Sequence, residues 1–173
     1  MLVPLCGKSV DVHWLAQRYD TVGVELCELA VRAFHEASDR AVTPEEDGAF
    51  QAWRSEGLTM LQGDVFELQP RHVEGVDRVW DRAALVALTP DQRSRYVGTL
   101  RELLPAGTSI LLNALVYDDA VMDGPPHAVG EDEVRTLYAG ARVEILDRED
   151  QLDERWRSRG HSWFRRDLYH IVL

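Results

Sequence analysis

An α/β fold, with a mostly parallel sheet covered by helices on both faces, is what this sequence predicts, and three observations predict it. Strand-like and helix-like segments alternate along the chain, as β-α-β units require. Ser109 to Tyr117 is a nearly continuous apolar run, the mark of a strand buried on both faces. The 173 residues, 45% hydrophobic and 28% charged, suit one ordered domain with a core of its own. A single domain over residues 1–173 is the expectation.

The elements follow in order. Met1 to Leu5 is a short apolar run closed by a turn containing Pro4 and Gly7, hence a first strand. From Ser9 to Tyr19, the residues Val12, Leu15, Ala16 and Tyr19 fall on one helical face, with Ser9 as N-cap. Val22 to Leu26 reads as a strand, and Glu28 to Ala37 as a helix with Leu29, Phe34 and Ala37 roughly aligned. Thr43 to Gly57 is polar and acidic, with Pro44, Gly48 and Gly57, and is expected to be an inserted loop with room for a helical turn. Leu58 to Leu61 is a strand ended by Gly63-Asp64, and Val76 to Trp80 a strand ended by Asp81-Arg82. Pro90 to Leu104 is the clearest helix, stopped by Pro105-Ala106-Gly107. After the strand Ser109 to Tyr117 come a helix from Glu131 to Tyr138 and two late strands, Arg142 to Leu146 and Leu168 to Leu173. Seven strands result.

Charge excludes several functions. Nineteen basic against thirty acidic residues leave a net charge of −11, which disfavours a nucleic-acid partner and an anionic membrane surface. No apolar run is long enough to span a bilayer. Two cysteines, Cys6 and Cys27, are too few for a disulfide-stapled scaffold, and no secretory signal precedes the first strand. A cytoplasmic protein with both thiols free is expected. None of the six histidines has metal-ligand spacing, so no metal site is expected.

In sheets of this kind ligands bind beyond the carboxyl ends of the strands. The first strand is followed by Cys6-Gly7-Lys8-Ser9, where one glycine permits close approach to the backbone. The second ends at Glu25, an acid placed to accept hydrogen bonds from both ribose hydroxyls of a nucleoside. Asp64 and Val65 follow the third strand, where an adenine edge could be read, although a turn role for Asp64 is a strong alternative. Arg82 follows the fourth, a cation at the rim of an acidic protein whose simplest alternative is an ion pair. A dinucleotide site needs G-x-G-x-x-G, which is absent. Gly7-Lys8-Ser9 lacks the upstream glycine of a phosphate-binding loop, since Leu2 stands there. A ribose-binding acid without a pyrophosphate cradle points to an adenosyl ligand lacking phosphates, of which S-adenosylmethionine is the common one.

Five stretches then resemble the thiopurine S-methyltransferase family, and together they cover essentially the whole chain. They are Val3 to Ser9, Val22 to Leu26, Trp80 to Leu88, Tyr117-Asp118 with Gly124-Pro125-Pro126, and more weakly Glu154-Arg155 with Arg159-Gly160. The resemblance implies a class I methyltransferase, Rossmann-like fold whose last strand is antiparallel. It implies methyl transfer from S-adenosyl-L-methionine, leaving S-adenosyl-L-homocysteine, to the sulfur of a small aromatic or heterocyclic thiol. Carried over by motif, Leu5, Gly7, Glu25, Asp64, Val65 and Arg82 line the cofactor site. Arg82, Arg155, Gly124, Pro125 and Pro126 face the substrate. His127-Ala128 departs from the aromatic-containing version usual in the family.

The family also carries an aromatic-containing segment ahead of the first strand, so the chain is expected to be N-terminally short and to lack that lid. Because a lid excludes water and holds reactants in line, an open cofactor cleft, an exposed apolar patch near Met1 and Leu2, and weak activity are expected. No residue is assigned as acid or base, because heteroaromatic thiols ionise near neutral pH and proximity supplies most of the acceleration. The expected enzyme is a monomer with a small-molecule thiol partner. The alternatives are methylation of selenium, tellurium or other soft small nucleophiles, and a non-catalytic remnant that binds an adenosyl ligand.

Overall fold

The structure, a computed structural model, describes residues 1–37 and 42–173. The chain forms two compact units, Met1–Trp80 and Asp81–Leu173. In the first, β1 (Leu2–Pro4), β2 (Thr21–Glu25) and β5 (Leu58–Gln62) are parallel, in the order β1-β2-β5. β6 (Arg78–Arg82) runs parallel to β1 on the other side, and its last two residues, Asp81 and Arg82, open the second unit. Helices α1 (Val10–Ala16) and α2 (Glu28–Glu36) connect the strands. Ser9 caps α1 as expected, its Oγ accepting from the Asp11 N–H at 3.2 Å.

Register explains the core of this unit. Val3, Gly23, Met60 and Trp53 lie opposite one another across four strands and therefore share one face. Val12 and Leu15 of α1 and Val31 and Phe34 of α2 pack on it. Phe34 is 1% exposed and stacks on the His13 ring at 4.0 Å. Burying such a ring contributes about 1.5–3 kcal/mol. Gly23 is required at its position, because a Cβ there would overlap Met60 Sδ and lie 3.1 Å from Cys6 Sγ.

Two expectations fail in this unit. Thr43 to Gly57 is no loop: it holds the hairpin of β3 (Glu45–Asp47) and β4 (Phe50–Ser55), which extends the sheet by antiparallel pairing to β5. The acids of β3 have poor intrinsic strand preference, and pairing with β4 overrides it. Nor is there an exposed apolar patch at Met1 and Leu2. Leu2 is 0% exposed and Met1 half-buried, because β1 lies between β2 and β6 and the Val22 N–H donates to the Met1 carbonyl at 2.8 Å.

The second unit contains α3 (Pro90–Leu103), β7 (Ser109–Tyr117), α4 (Glu131–Leu137), β8 (Arg142–Asp150), the short α5 (Glu154–Arg157) and β9 (Phe164–Val172). β9 runs antiparallel to both β7 and β8 and lies between them. The seven strands read from the sequence are thus present, and the β3–β4 hairpin adds two. α3 begins with a capping box, in which Thr89 and the Gln92 side chain satisfy each other's backbone donors. β8 runs four residues past its expected end and β9 starts four earlier. Apart from Phe164 these added residues are polar and held by cross-strand pairs such as Arg166 with Asp147 at 3.0 Å and Glu149 at 2.6 Å, so apolar periodicity does not reveal them. No helix among the described residues is long and apolar enough to cross a membrane.

Candidate active site

In the first unit the carboxyl ends of β1, β2 and β5 converge on Glu25. Beyond β1 the backbone turns left-handed at Leu5 (φ 46°) and again at Gly7 (φ 55°). Leucine in that conformation costs about 1–2 kcal/mol. The turn is held by the Cys6 N–H, which donates to the Val24 carbonyl at 3.0 Å, and by the Ser9 N–H, which donates to the Cys6 carbonyl at 3.1 Å. The Gly7 N–H donates to Glu25 Oε2 at 2.8 Å and the Cys27 N–H to Glu25 Oε1 at 2.8 Å. The Gly63 N–H donates to the Glu25 backbone carbonyl at 2.9 Å, which brings the loop of Asp64 and Val65 alongside.

One half-buried carboxylate therefore braces the loops after β1 and β2. Each of its oxygens takes one backbone N–H and retains a second lone-pair direction. A vicinal diol fits that remaining capacity. A side chain at Gly7 would project into open space, so the backbone is approachable there. Asp64 takes the turn role weighed against adenine reading, its Oδ1 accepting from the Phe66 N–H at 3.0 Å. Val65 is buried at 5% exposure. Cys6 is buried, and burial first, then the Glu25 charge, pushes its thiol up to about 12. It is no nucleophile at neutral pH.

In the second unit Arg82 is the exposed last residue of β6, and Ala83 after it is left-handed at φ 78°. Its neighbour Asp81 is wholly buried and accepts from the Leu85 N–H at 3.0 Å and the Tyr96 hydroxyl at 2.8 Å. Burial pushes the Asp81 carboxyl up to about 6, against the lowering effect of those hydrogen bonds. Sequence reasoning gave Asp81-Arg82 as the end of the strand; both lie within β6, and the place of Asp81 in the structure is the anchor of α3.

Gly124-Pro125-Pro126 and Arg155 are brought together by aromatic rings. The Tyr117 hydroxyl donates to the Pro126 carbonyl at 2.5 Å. Tyr117 stacks on Phe164 (5.1 Å, 7°), Phe164 stacks on Trp156 (4.0 Å, 11°), and the Arg155 guanidinium lies over Trp156 at 5.0 Å. His161, 3% exposed, packs edgewise against all three rings at 5.1–5.7 Å. The His127 N–H donates to the Val86 carbonyl at 2.6 Å and fixes the end of the proline loop. The stretches read from the sequence include Tyr117 but not Trp156, Phe164 or His161. Their only signal was proximity to the Glu154-Arg155 stretch.

Comparisons with known proteins bear on the family and the fold. A model of the family "Thiopurine S-methyltransferase (TPMT)" matches residues 1–172. A thiopurine S-methyltransferase of Pseudomonas aeruginosa (strain UCBPP-PA14) is 45% identical over 173 residues, covering 98% of this chain and 79% of its own. That of Aliivibrio salmonicida is 44% identical over 154 residues, covering 87% and 70%. Among solved structures, a SAM-dependent methyltransferase from Methanosarcina mazei superposes with a TM-score of 0.66 at 15% identity, over 99% of this chain and 90% of its own. The N-methyltransferase NodS from Bradyrhizobium japonicum WM9, in complex with S-adenosyl-L-homocysteine, gives 0.66 at 14% identity, over 99% and 76%. At such identities the structural likeness bears on the fold, which is that of class I methyltransferases.

Proposed function

The chain belongs to the thiopurine S-methyltransferase family and is an S-adenosylmethionine-dependent methyltransferase, and on that premise we propose that its acceptor is the sulfur of a small aromatic or heterocyclic thiol. Bound S-adenosylmethionine supplies an electrophilic methyl group on a sulfonium. Glu25 holds the ribose diol with the acceptor capacity left by Gly7 and Cys27. The Gly7 backbone and the left-handed Leu5 shape the loop beside it, and the backbone at Asp64 and Val65 borders the adenine. Arg82, exposed at the end of β6, is assigned to the acceptor.

The observation that carries the acceptor assignment is the stack from Pro126 through Tyr117, Phe164 and Trp156 to Arg155. It places a proline-lined loop and an exposed guanidinium on one rigid piece, suited to a flat ring bearing a thiolate. Arg155 and Arg82 favour the ionised thiol by electrostatics. No side chain is needed as base, and orientation supplies the remaining acceleration. The enzyme so proposed is monomeric and cytoplasmic, with no nucleic-acid or membrane partner, in keeping with the net charge of −11.

The test is a methyl-transfer screen with labelled S-adenosylmethionine against 6-mercaptopurine, selenite, tellurite, a phenol and an aliphatic amine. Transfer to the thiol is expected. Transfer to selenium or tellurium alone would move the assignment to another soft nucleophile, and S-adenosylhomocysteine binding without any transfer would sink it.

A further inference from the structure

The turn that presents Arg155 holds a second guanidinium beside it. The N–H groups of Arg159 and His161 both donate to the Trp156 carbonyl, at 3.1 and 3.2 Å, and wind the chain back over that residue. The guanidinium carbons of Arg155 and Arg159 each lie 5.0 Å from the centroid of the Trp156 ring. Phe164 stacks on the same ring at 4.0 Å, so the two cations share what Phe164 leaves uncovered. His161 packs against Trp156 and Phe164 and holds the platform still.

Elsewhere in this unit Arg93, Arg135, Arg148, Arg165 and Arg166 each hold a carboxylate. Arg155 and Arg159, like Arg142 and Arg157, hold none among the described residues, but these two lie over one ring, in a chain where acids outnumber bases thirty to nineteen. Two like charges on one indole, with no counter-ion among the described residues, form an arrangement that an anion completes. Two planar guanidinium forks match a planar carboxylate.

We propose that Arg159, paired with Arg155 on the Trp156 platform, is a specificity-determining residue that selects acceptors carrying a ring carboxylate in addition to the thiol. This rests on the thiol-acceptor assignment above. Trp156 is the positioning residue that keeps both guanidinium groups in place.

The experiment uses the full chain and two matched acceptors, 2-mercaptonicotinate and 2-mercaptopyridine, which differ by one carboxylate. The quantity read is the ratio of their kcat/KM values. Arg159→Gln should lower that ratio about tenfold, which is about 1.4 kcal/mol, through the KM of the carboxylated thiol. Arg157→Gln, on the same turn but making no ring contact with Trp156, should leave the ratio unchanged. Trp156→Leu should lower it as Arg159→Gln does, and Trp156→Phe should restore it. An unchanged ratio in Arg159→Gln, or an equal fall in Arg157→Gln, overturns the proposal. If the wild type methylates neither thiol, the thiol assignment has failed, and calorimetric binding of unreactive 2-(methylthio)nicotinate then decides. Binding about tenfold weaker in Arg159→Gln sustains the carboxylate site. Equal binding, or none to the wild type, overturns it.

Discussion

Replacing Glu25 by glutamine leaves one oxygen where the structure uses two. The carboxylate accepts the Gly7 and Cys27 N–H groups at 2.8 Å each, one on each oxygen. In Glu25→Gln the amide oxygen can keep one of them, while the amide NH2 faces the other donor. One ribose acceptor is lost with it. A hydrogen bond to a charged group contributes about 1.5–3 kcal/mol, so S-adenosylhomocysteine binding should weaken roughly 10- to 150-fold. Glu25→Ala removes both acceptors and should weaken it beyond that range. The two backbone bonds also support the fold. Losing one in a chain of this size should lower Tm by about 3–12 °C. Isothermal titration calorimetry with S-adenosylhomocysteine, alongside thermal melting of each variant, measures both effects. A Glu25→Gln protein that binds within threefold of the wild type would refute the placement of the ribose at Glu25. A large Tm loss with unchanged affinity would assign Glu25 to bracing the loop alone.

Three further outcomes are expected. Asp81 has a folded pKa of about 6 against an ordinary value of 3.8, so the native state binds a proton that the unfolded state has released. Its contribution is therefore fully present below pH 4 and lost as pH rises through 6, by about 3 kcal/mol. Urea unfolding of wild type and Asp81→Asn at pH 4 and pH 7 should show that divergence, and parallel curves would contradict it. Cys27 is exposed and Cys6 buried with its thiol pushed up to about 12, so a thiol reagent at pH 8 should label the native protein once, at Cys27. Rapid native labelling at Cys6, located by mass spectrometry, would show that the first loop opens. Arg82→Ala should lower kcat/KM for the thiol at least tenfold while changing S-adenosylhomocysteine affinity less than threefold. Equal losses would move Arg82 to the cofactor.

Local patterning determined much of this protein. The apolar run from Ser109 to Tyr117 coincides with β7, because a strand buried in a sheet must be apolar along its length. Pro90 at the first turn and the residues before Pro105 bound α3 for reasons that lie within a few residues of each end. Glu25 was legible because strand ends can be read from alternation, and an acid at the second strand end has one obvious chemistry. The motif stretches also carried the family.

Tertiary structure alone decided the rest. The acids Glu45, Glu46 and Asp47 become a strand only through pairing with β4, itself held by β5, and no local preference encodes that pairing. Leu2 is buried because two strands flank it, which the apolar character of Met1 and Leu2 could not distinguish from exposure. Asp81 looks like any rim acid in the sequence, yet Tyr96 and the start of the turn at Leu85 close over it. The stack of Tyr117, Phe164 and Trp156 joins residues far apart in the chain, because the antiparallel register of β7 and β9 sets Tyr117 opposite Phe164. Contacts of that kind follow from where strands pair, and side-chain chemistry takes its meaning from them.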